Sequence, residues 1–191
     1  MWDFVGRNYL EDFDYFFIGG EDLFVLPQNL RAYLKTLGSP EDLHFVGRRF
    51  KGYGKKDNYF NSGGAGYAMS RGTLRKFYNQ GLAHPKCHIK EQTSMEDVMV
   101  AECLREVFGI GLTDTRDEEK RERFHPFSPG DHFTWQPPAT GKHEWYADYN
   151  KEWGLLHGKD CCAPDSVSFH YIKKPTMVRH LQALLYQCNK Q

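Results

Sequence analysis

The sequence predicts an α/β fold, and three stretches carry that prediction. Tyr15-Phe16-Phe17-Ile18 is an aromatic, apolar run bounded by Gly19-Gly20. It reads as a strand buried on both faces, the kind found in parallel sheets. Pro27 then stands where a helix starts well, and Leu30, Tyr33, Leu34 and Leu37 recur at helical spacing as far as Gly38. Leu43-His44-Phe45-Val46-Gly47 reads as a second strand, so strand, helix and strand open the chain as a βαβ unit.

Ahead of the first strand, Val5, Leu10 and Phe13 suit a short amphipathic helix. Charge collects at both strand ends: Glu21 and Asp22 after the first, Arg48, Arg49 and Lys51 after the second. Ligands of open α/β sheets bind at the carboxyl ends of strands, so acids placed there form a candidate metal or phosphate site. An acidic pair after Gly-Gly is, on its own, more often a solvated turn. Residues 52–58 form a turn-rich, mobile loop. Beyond it, Gly63-Gly64-Ala65-Gly66 lets backbone approach something bulky, a nucleotide sugar or another strand, but lacks the spacing of a phosphate loop.

Ser70 caps a helix carrying Leu74, Phe77 and Tyr78 up to Gly81. Ser94 with Asp97 fits a capping box, and Val98, Ala101, Leu104, Val107 and Phe108 form one apolar stripe ending at Gly109. Glu96 and Asp97 thus lie in a first helical turn, where the dipole favours anions whether they cap or catalyse. The charged, then Pro- and Gly-rich stretch from Leu112 to Pro138 is anchored by Phe124-His125-Pro126-Phe127. Residues 143–153 place Trp145, Tyr146, Tyr149 and Trp153 beside polar groups on a loop, which suits carbohydrate as well as a loop pinned to the core. Val167 to Ile172 reads as an alternating strand carrying His170, and a helix runs from Pro175 through Met177, Leu181, Leu184, Leu185 and Cys188.

The 191 residues suffice for one domain with a real core. Lys+Arg and Asp+Glu balance at 25 each, which removes the electrostatic footprint of a nucleic-acid or anionic-membrane partner. No apolar run approaches the ~20 residues that span a bilayer, and Trp2-Asp3-Phe4 stands where a signal's basic region would. Taken literally, that is a cytosolic chain. Cys87, Cys103, Cys161, Cys162 and Cys188 leave the compartment open. They form no C-x-x-C pattern, the adjacent pair is poorly placed to serve one tetrahedral metal together, and their odd number leaves at least one thiol free or its partner missing.

In sequence order, Tyr15-Phe16-Phe17-x-x-x-Glu21-Asp22-x-Phe24-Val25, Gly47-Arg48-Arg49-Phe50-Lys51, Ser62-Gly63-Gly64-Ala65-Gly66-Tyr67, Glu96-Asp97-Val98, Phe124-His125-Pro126-Phe127, Cys161-Cys162 and Ser168-Phe169-His170-Tyr171 resemble the core 1 β1,3-galactosyltransferases, relatives of the Fringe enzymes. The resemblance runs over nearly the whole chain. It implies a GT-A fold, a mixed sheet flanked by helices, with the family's N-terminal strands missing: residues 1–191 as the C-terminal part of a catalytic domain, metal and donor in about 1–80, base and acceptor in about 81–191. It implies inverting transfer of galactose or another hexose from a UDP-sugar to the 3-hydroxyl of an O-linked GalNAc or similar glycan, with Mn²⁺, on the lumenal side of the Golgi membrane through an anchor upstream.

The implied metal ligands are Asp22 and His170, and the implied base is Asp97 with Glu96 as the neighbouring option. Glu21, Asp22, Gly63, Gly64, Ala65, Gly66 and Arg48 are placed at the donor, and Trp145, Tyr146 and Tyr149 at the acceptor. Cys87 and Cys103 become a local disulfide, the other cysteines pairing elsewhere. The family's three aspartates are Gly20-Glu21-Asp22 here, so only the metal-binding third survives intact. An inactive or truncated member serving as a folding or binding module is the alternative. A metallohydrolase is disfavoured, because no short-spaced ligand pair such as H-E-x-x-H occurs.

Overall fold

The computed structural model describes residues 1–87 and 95–183. In chain order the first half holds α1 (Trp2–Tyr9), β1 (Tyr15–Ile18), β2 (Phe24–Val25), α2 (Pro27–Lys35), β3 (Phe45–Gly47), β4 (Arg49–Lys51), β5 (Tyr59–Asn61), β6 (Tyr67–Ser70) and α3 (Arg71–Lys76). The second half holds α4 (Glu96–Phe108), β7 (Phe124–His125), α5 (Pro129–Thr134), α6 (Trp145–Tyr149), β8 (Ser168–Phe169) and α7 (Pro175–Gln182). Mixed sheets flanked by helices result, as an α/β fold requires.

The main sheet has the order β1-β6-β3, with β6 antiparallel to both neighbours. Strands β1 and β3 therefore run the same way, as a βαβ unit demands, but β6 lies between them. This corrects the expectation for Tyr15–Ile18: β1 is an edge strand with only Phe16 buried, not a doubly covered parallel strand. The central place goes to Tyr67–Ser70, whose four residues are all buried. A second sheet, β2-β8-β7, pairs β2 antiparallel and β7 parallel to β8. It stitches the start of the chain to its end.

The basic group after β3 also differs from expectation. Arg49–Lys51 is itself a strand, β4, and residues 52–58 turn it back onto β5 as a hairpin. The aromatic stretch around Trp145 is not a loop; α6 forms there because the Glu144 carboxylate accepts from the N–H groups of Tyr146 and Ala147. Ser70 caps α3 as expected, accepting from Thr73 N–H, and a π-helical turn continues to Gly81. Helix α4 ends at Gly109, which takes φ 67°, a left-handed cap suited to glycine. Its N-cap is Met95; Ser94 lies outside the described residues, as do Leu184, Leu185 and Cys188 of the expected C-terminal helix. In α1, Trp2, Gly6 and the following Leu10 are buried but Phe13 is exposed.

The larger core cluster gathers Phe45, Tyr67, Met69, Leu74, Phe77, Val100 and Leu104 between α4 and the main sheet. A disulfide joins Cys87 to Cys103 of α4, both buried. Cys161 and Cys162 are bonded to each other rather than to partners elsewhere. Among the described residues, no helix is long and apolar enough to cross a membrane.

Candidate active site

Three chain segments converge on one cleft. The turn from β1 to β2, closed by Leu23 N–H donating to the Gly20 carbonyl, presents Asp22. The end of β8 presents His170, whose own N–H donates to the His125 carbonyl of β7. Ile172 N–H donates to the Asp22 carbonyl at 2.9 Å, which locks the two segments in register. As a result His170 Nε2 stands 3.0 Å from Asp22 Oδ1. Asp22 opens on a cleft of about 440 Å³ that it lines with Glu21, Ile172 and Lys173, and the part-buried His170 stands beside it.

The other ring nitrogen fixes the chemistry of this pair. His170 Nδ1 lies 3.2 Å from the Pro126 carbonyl, which can only accept, so Nδ1 carries the hydrogen and Nε2 presents its lone pair to Asp22. Two lone-pair atoms at 3.0 Å require a proton or a cation between them. A carboxylate oxygen plus an imidazole, with the second imidazole nitrogen held by a carbonyl, fits a divalent first-row metal. Lys173 Nζ, 3.8 Å from Asp22 Oδ2, adds a third positive candidate at the same place.

The glycine turn between β5 and β6 forms the wall. A Cβ on Gly64 would meet the His170 ring at 2.7 Å, and one on Gly63 would meet Asp97 at 3.3 Å. Adjacent glycines therefore touch the histidine side and the acid side; a side chain at Gly64 would force the ring to move, and one at Gly63 would crowd Asp97. Asp97 Oδ2 accepts from Gly63 N–H at 2.8 Å and Oδ1 from Val98 N–H at 2.9 Å. Burial raises the Asp97 carboxyl above its usual range, and these two backbone donors hold the rise in check.

Aromatic rings continue the cleft. Tyr171 takes φ 58°, an uncommon conformation for a bulky residue, and its ring stacks on His170 with centroids 3.9 Å apart. Phe127 stacks next to Tyr171, and Trp145 packs edge-on against Phe127 at 5.6 Å. Trp145, 45% exposed, ends the row on the solvent side, whereas the Tyr171 ring lies against His170 and Phe127 and has the Lys173 ammonium 4.9 Å from its centroid.

Not every residue singled out from sequence reaches this place. Arg48 is wholly buried, donating to Tyr146 Oη at 3.0 Å and Asn150 Oδ1 at 2.6 Å and pairing with Glu122 at 2.7 Å. It faces the core, not a donor. Tyr146 is buried with it, so of the three aromatic candidates Trp145 is the exposed one, while Tyr149 is half-buried against Phe50. Ala65 and Gly66 are buried too: the Ala65 carbonyl accepts from Ser168 Oγ, and Gly66 packs under Phe17 and Leu23. Glu96 Oε1 accepts from Trp2 Nε1 and Tyr67 Oη, both at 2.8 Å, which makes it an anchor for α1. Glu21, Gly63 and Gly64 keep surface toward solvent. Nothing in the residue order points to Lys173 beside Asp22 or to the stacking of Tyr171 on His170, the latter because a positive φ has no signature in residue type.

No family model matches the chain. It is 36% identical over 194 aligned residues to a glycoprotein-N-acetylgalactosamine 3-beta-galactosyltransferase 1 of Xenopus laevis, an alignment covering 98% of this chain and 51% of that protein. The chain thus spans about half the length of the curated relative it matches.

Proposed function

The chain belongs to the glycoprotein-N-acetylgalactosamine 3-beta-galactosyltransferase family, and from that premise we propose that its cleft serves inverting transfer of galactose, or another hexose, from a UDP-sugar to the 3-hydroxyl of an O-linked GalNAc or similar glycan. The observation that carries this reading is the meeting of Asp22 and His170 at 3.0 Å with Asp97 on the far side of the Gly63-Gly64 turn. A GT-A arrangement and a Golgi-lumenal location follow from the same premise.

Asp22 and His170 would hold a Mn²⁺ ion, which when bound offsets the negative charge that develops on the departing diphosphate. The chain's own residues supply the rest. Pro126, by holding His170 Nδ1–H, keeps Nε2 aimed at Asp22. The half-open Gly63 and Gly64 let a sugar approach the backbone between the two groups. Asp97, its carboxyl raised by burial, acts as the general base that takes the proton from the attacking hydroxyl; a single displacement needs one such base. The Gly63 and Val98 N–H groups fix that carboxylate's orientation. Trp145 offers an exposed ring against which an acceptor sugar can stack.

Lys173 favours a second reading, in which its ammonium rather than a metal answers the diphosphate charge. One experiment separates the two. The full-length gene product is incubated with UDP-galactose and a GalNAc-bearing peptide, with and without a chelator. Transfer that vanishes on chelation and returns with Mn²⁺ supports the metal reading; transfer that survives chelation but is lost in Lys173→Ala supports the second. No transfer by properly folded protein under either condition refutes both.

A further inference from the structure

Beneath the cleft lies a cluster that sugar transfer does not use. His125 and His132 are 0% and 4% exposed, with ring centroids 4.9 Å apart. His125 Nδ1 and His132 Nε2 have no hydrogen-bond partner, although each is buried. A buried polar atom left without a partner is costly, and two side by side call for a shared explanation. The third member is Cys162: its sulfur and one nitrogen from each histidine all lie within 4.8 Å of one another.

The hydrogen bonds around His125 determine which of its nitrogens carries a lone pair. Ser166 Oγ donates to the Ala163 carbonyl at 2.6 Å, so at 2.9 Å it accepts from His125 Nε2–H. Nδ1 is therefore unprotonated. A serine that holds one nitrogen and leaves the other buried without a partner is the outer support expected of a ligating histidine. Burial first, then the mutual proximity of the histidines and Arg48, lowers His125 well below its usual value; burial and Arg48 bring His132 to about 3. The Arg48 charge is itself answered by Glu122 at 2.7 Å.

We propose that His125, His132 and Cys162 form a latent zinc site which the Cys161–Cys162 disulfide keeps closed. Two imidazoles and a thiolate suit zinc, and Cys162, being half-buried, leaves one side open for a fourth, water ligand. A disulfide sulfur is a poor ligand. A dithiol opens the site: it transfers two electrons and two protons, the Cys161–Cys162 bond breaks into two thiols, and the dithiol closes to its own cyclic disulfide. Zinc then displaces the proton from Cys162 Sγ. The site is distinct from the Asp22–His170 pair, which holds no sulfur. The His125 carbonyl receives the His170 N–H at 3.1 Å, so the backbone links the two.

Cobalt(II) as a zinc surrogate gives the test, because a thiolate ligand adds a near-ultraviolet charge-transfer band that oxygen and nitrogen ligands do not. Cys161→Ser leaves the Cys162 thiol unpaired without any reductant and without disturbing Cys87–Cys103. We expect about one cobalt per chain with that band in C161S, displaced by zinc, and no band in oxidised wild type or in C162S. Wild type reduced with a dithiol, which is removed without oxygen before cobalt is added, should gain the band, which keeps the test open if C161S folds poorly. A band of equal strength in C162S, or none in both C161S and dithiol-treated wild type, overturns the proposal.

Discussion

Two polar constellations drew notice in this chain, and they have opposite designs. At the Asp22–His170–Asp97 cleft the charged groups are half-open and meet solvent on one side. Around Arg48 the charge is fully enclosed, and Glu122, Tyr146 and Asn150 answer it within hydrogen-bond reach. Sequence suggested ligand contact for both. The lesson is that a charged residue at a strand end is a candidate for chemistry only where the fold leaves its partners outside the chain. Arg48 instead ties β3 and β4 to α6 and to the strand region at Glu122, a structural role that its motif shares with no obvious signal.

Substitutions should separate these roles. The largest effect is expected at the cleft: Asp97→Asn should lower turnover by about 10²–10⁴-fold while the protein remains folded, read by initial rates and circular dichroism. A base must be deprotonated to act, and burial raises Asp97, so turnover should fall on acidification at a higher pH than an ordinary carboxylate would give. A pH profile with its acid limb at the ordinary carboxylate position would remove Asp97 from that role. Arg48→Met should do the reverse. It strands Glu122, Tyr146 and Asn150, and should cost about 3–5 kcal/mol in urea unfolding with acceptor KM unchanged. A changed KM with unchanged stability would reverse the comparison.

Smaller effects sharpen the comparison within the cleft. Gly64→Ala puts a methyl 2.7 Å from the His170 ring and should cost about 1–3 kcal/mol while weakening metal-dependent UDP binding in calorimetry. Gly63→Ala, 3.3 Å from Asp97, should lower turnover more than UDP affinity. Smallest, Trp145→Ala should raise acceptor KM by the equivalent of about 0.5–1.5 kcal/mol and leave donor KM alone. The buried Tyr146→Phe should instead lower stability by about 1 kcal/mol, through the lost bond to Arg48, without touching either KM.

Residue order alone determined a good deal. Apolar periodicity placed α2 and α4 to within a few residues, Ser70 and Gly109 marked caps, and the Cys87–Cys103 disulfide matches the pairing that the family resemblance implies. Asp22, His170 and Asp97 were singled out by the family resemblance, since an acid after Gly-Gly, a strand histidine and an acid in a first helical turn carry no such role by themselves. Tertiary structure decided what depends on partners distant in the chain. Tyr15–Ile18 is as apolar as a central strand, yet β6, buried along all four residues, takes the centre between β1 and β3. Arg48 and Glu96 look like site residues until Glu122, Tyr67 and Trp2 close around them. Tyr171 gained its place beside His170 from a left-handed backbone that its residue type disfavours. Periodicity and caps are local energies written in adjacent residues. Burial, pairing and the direction of a charged group are set by contacts across the chain, which only folding supplies.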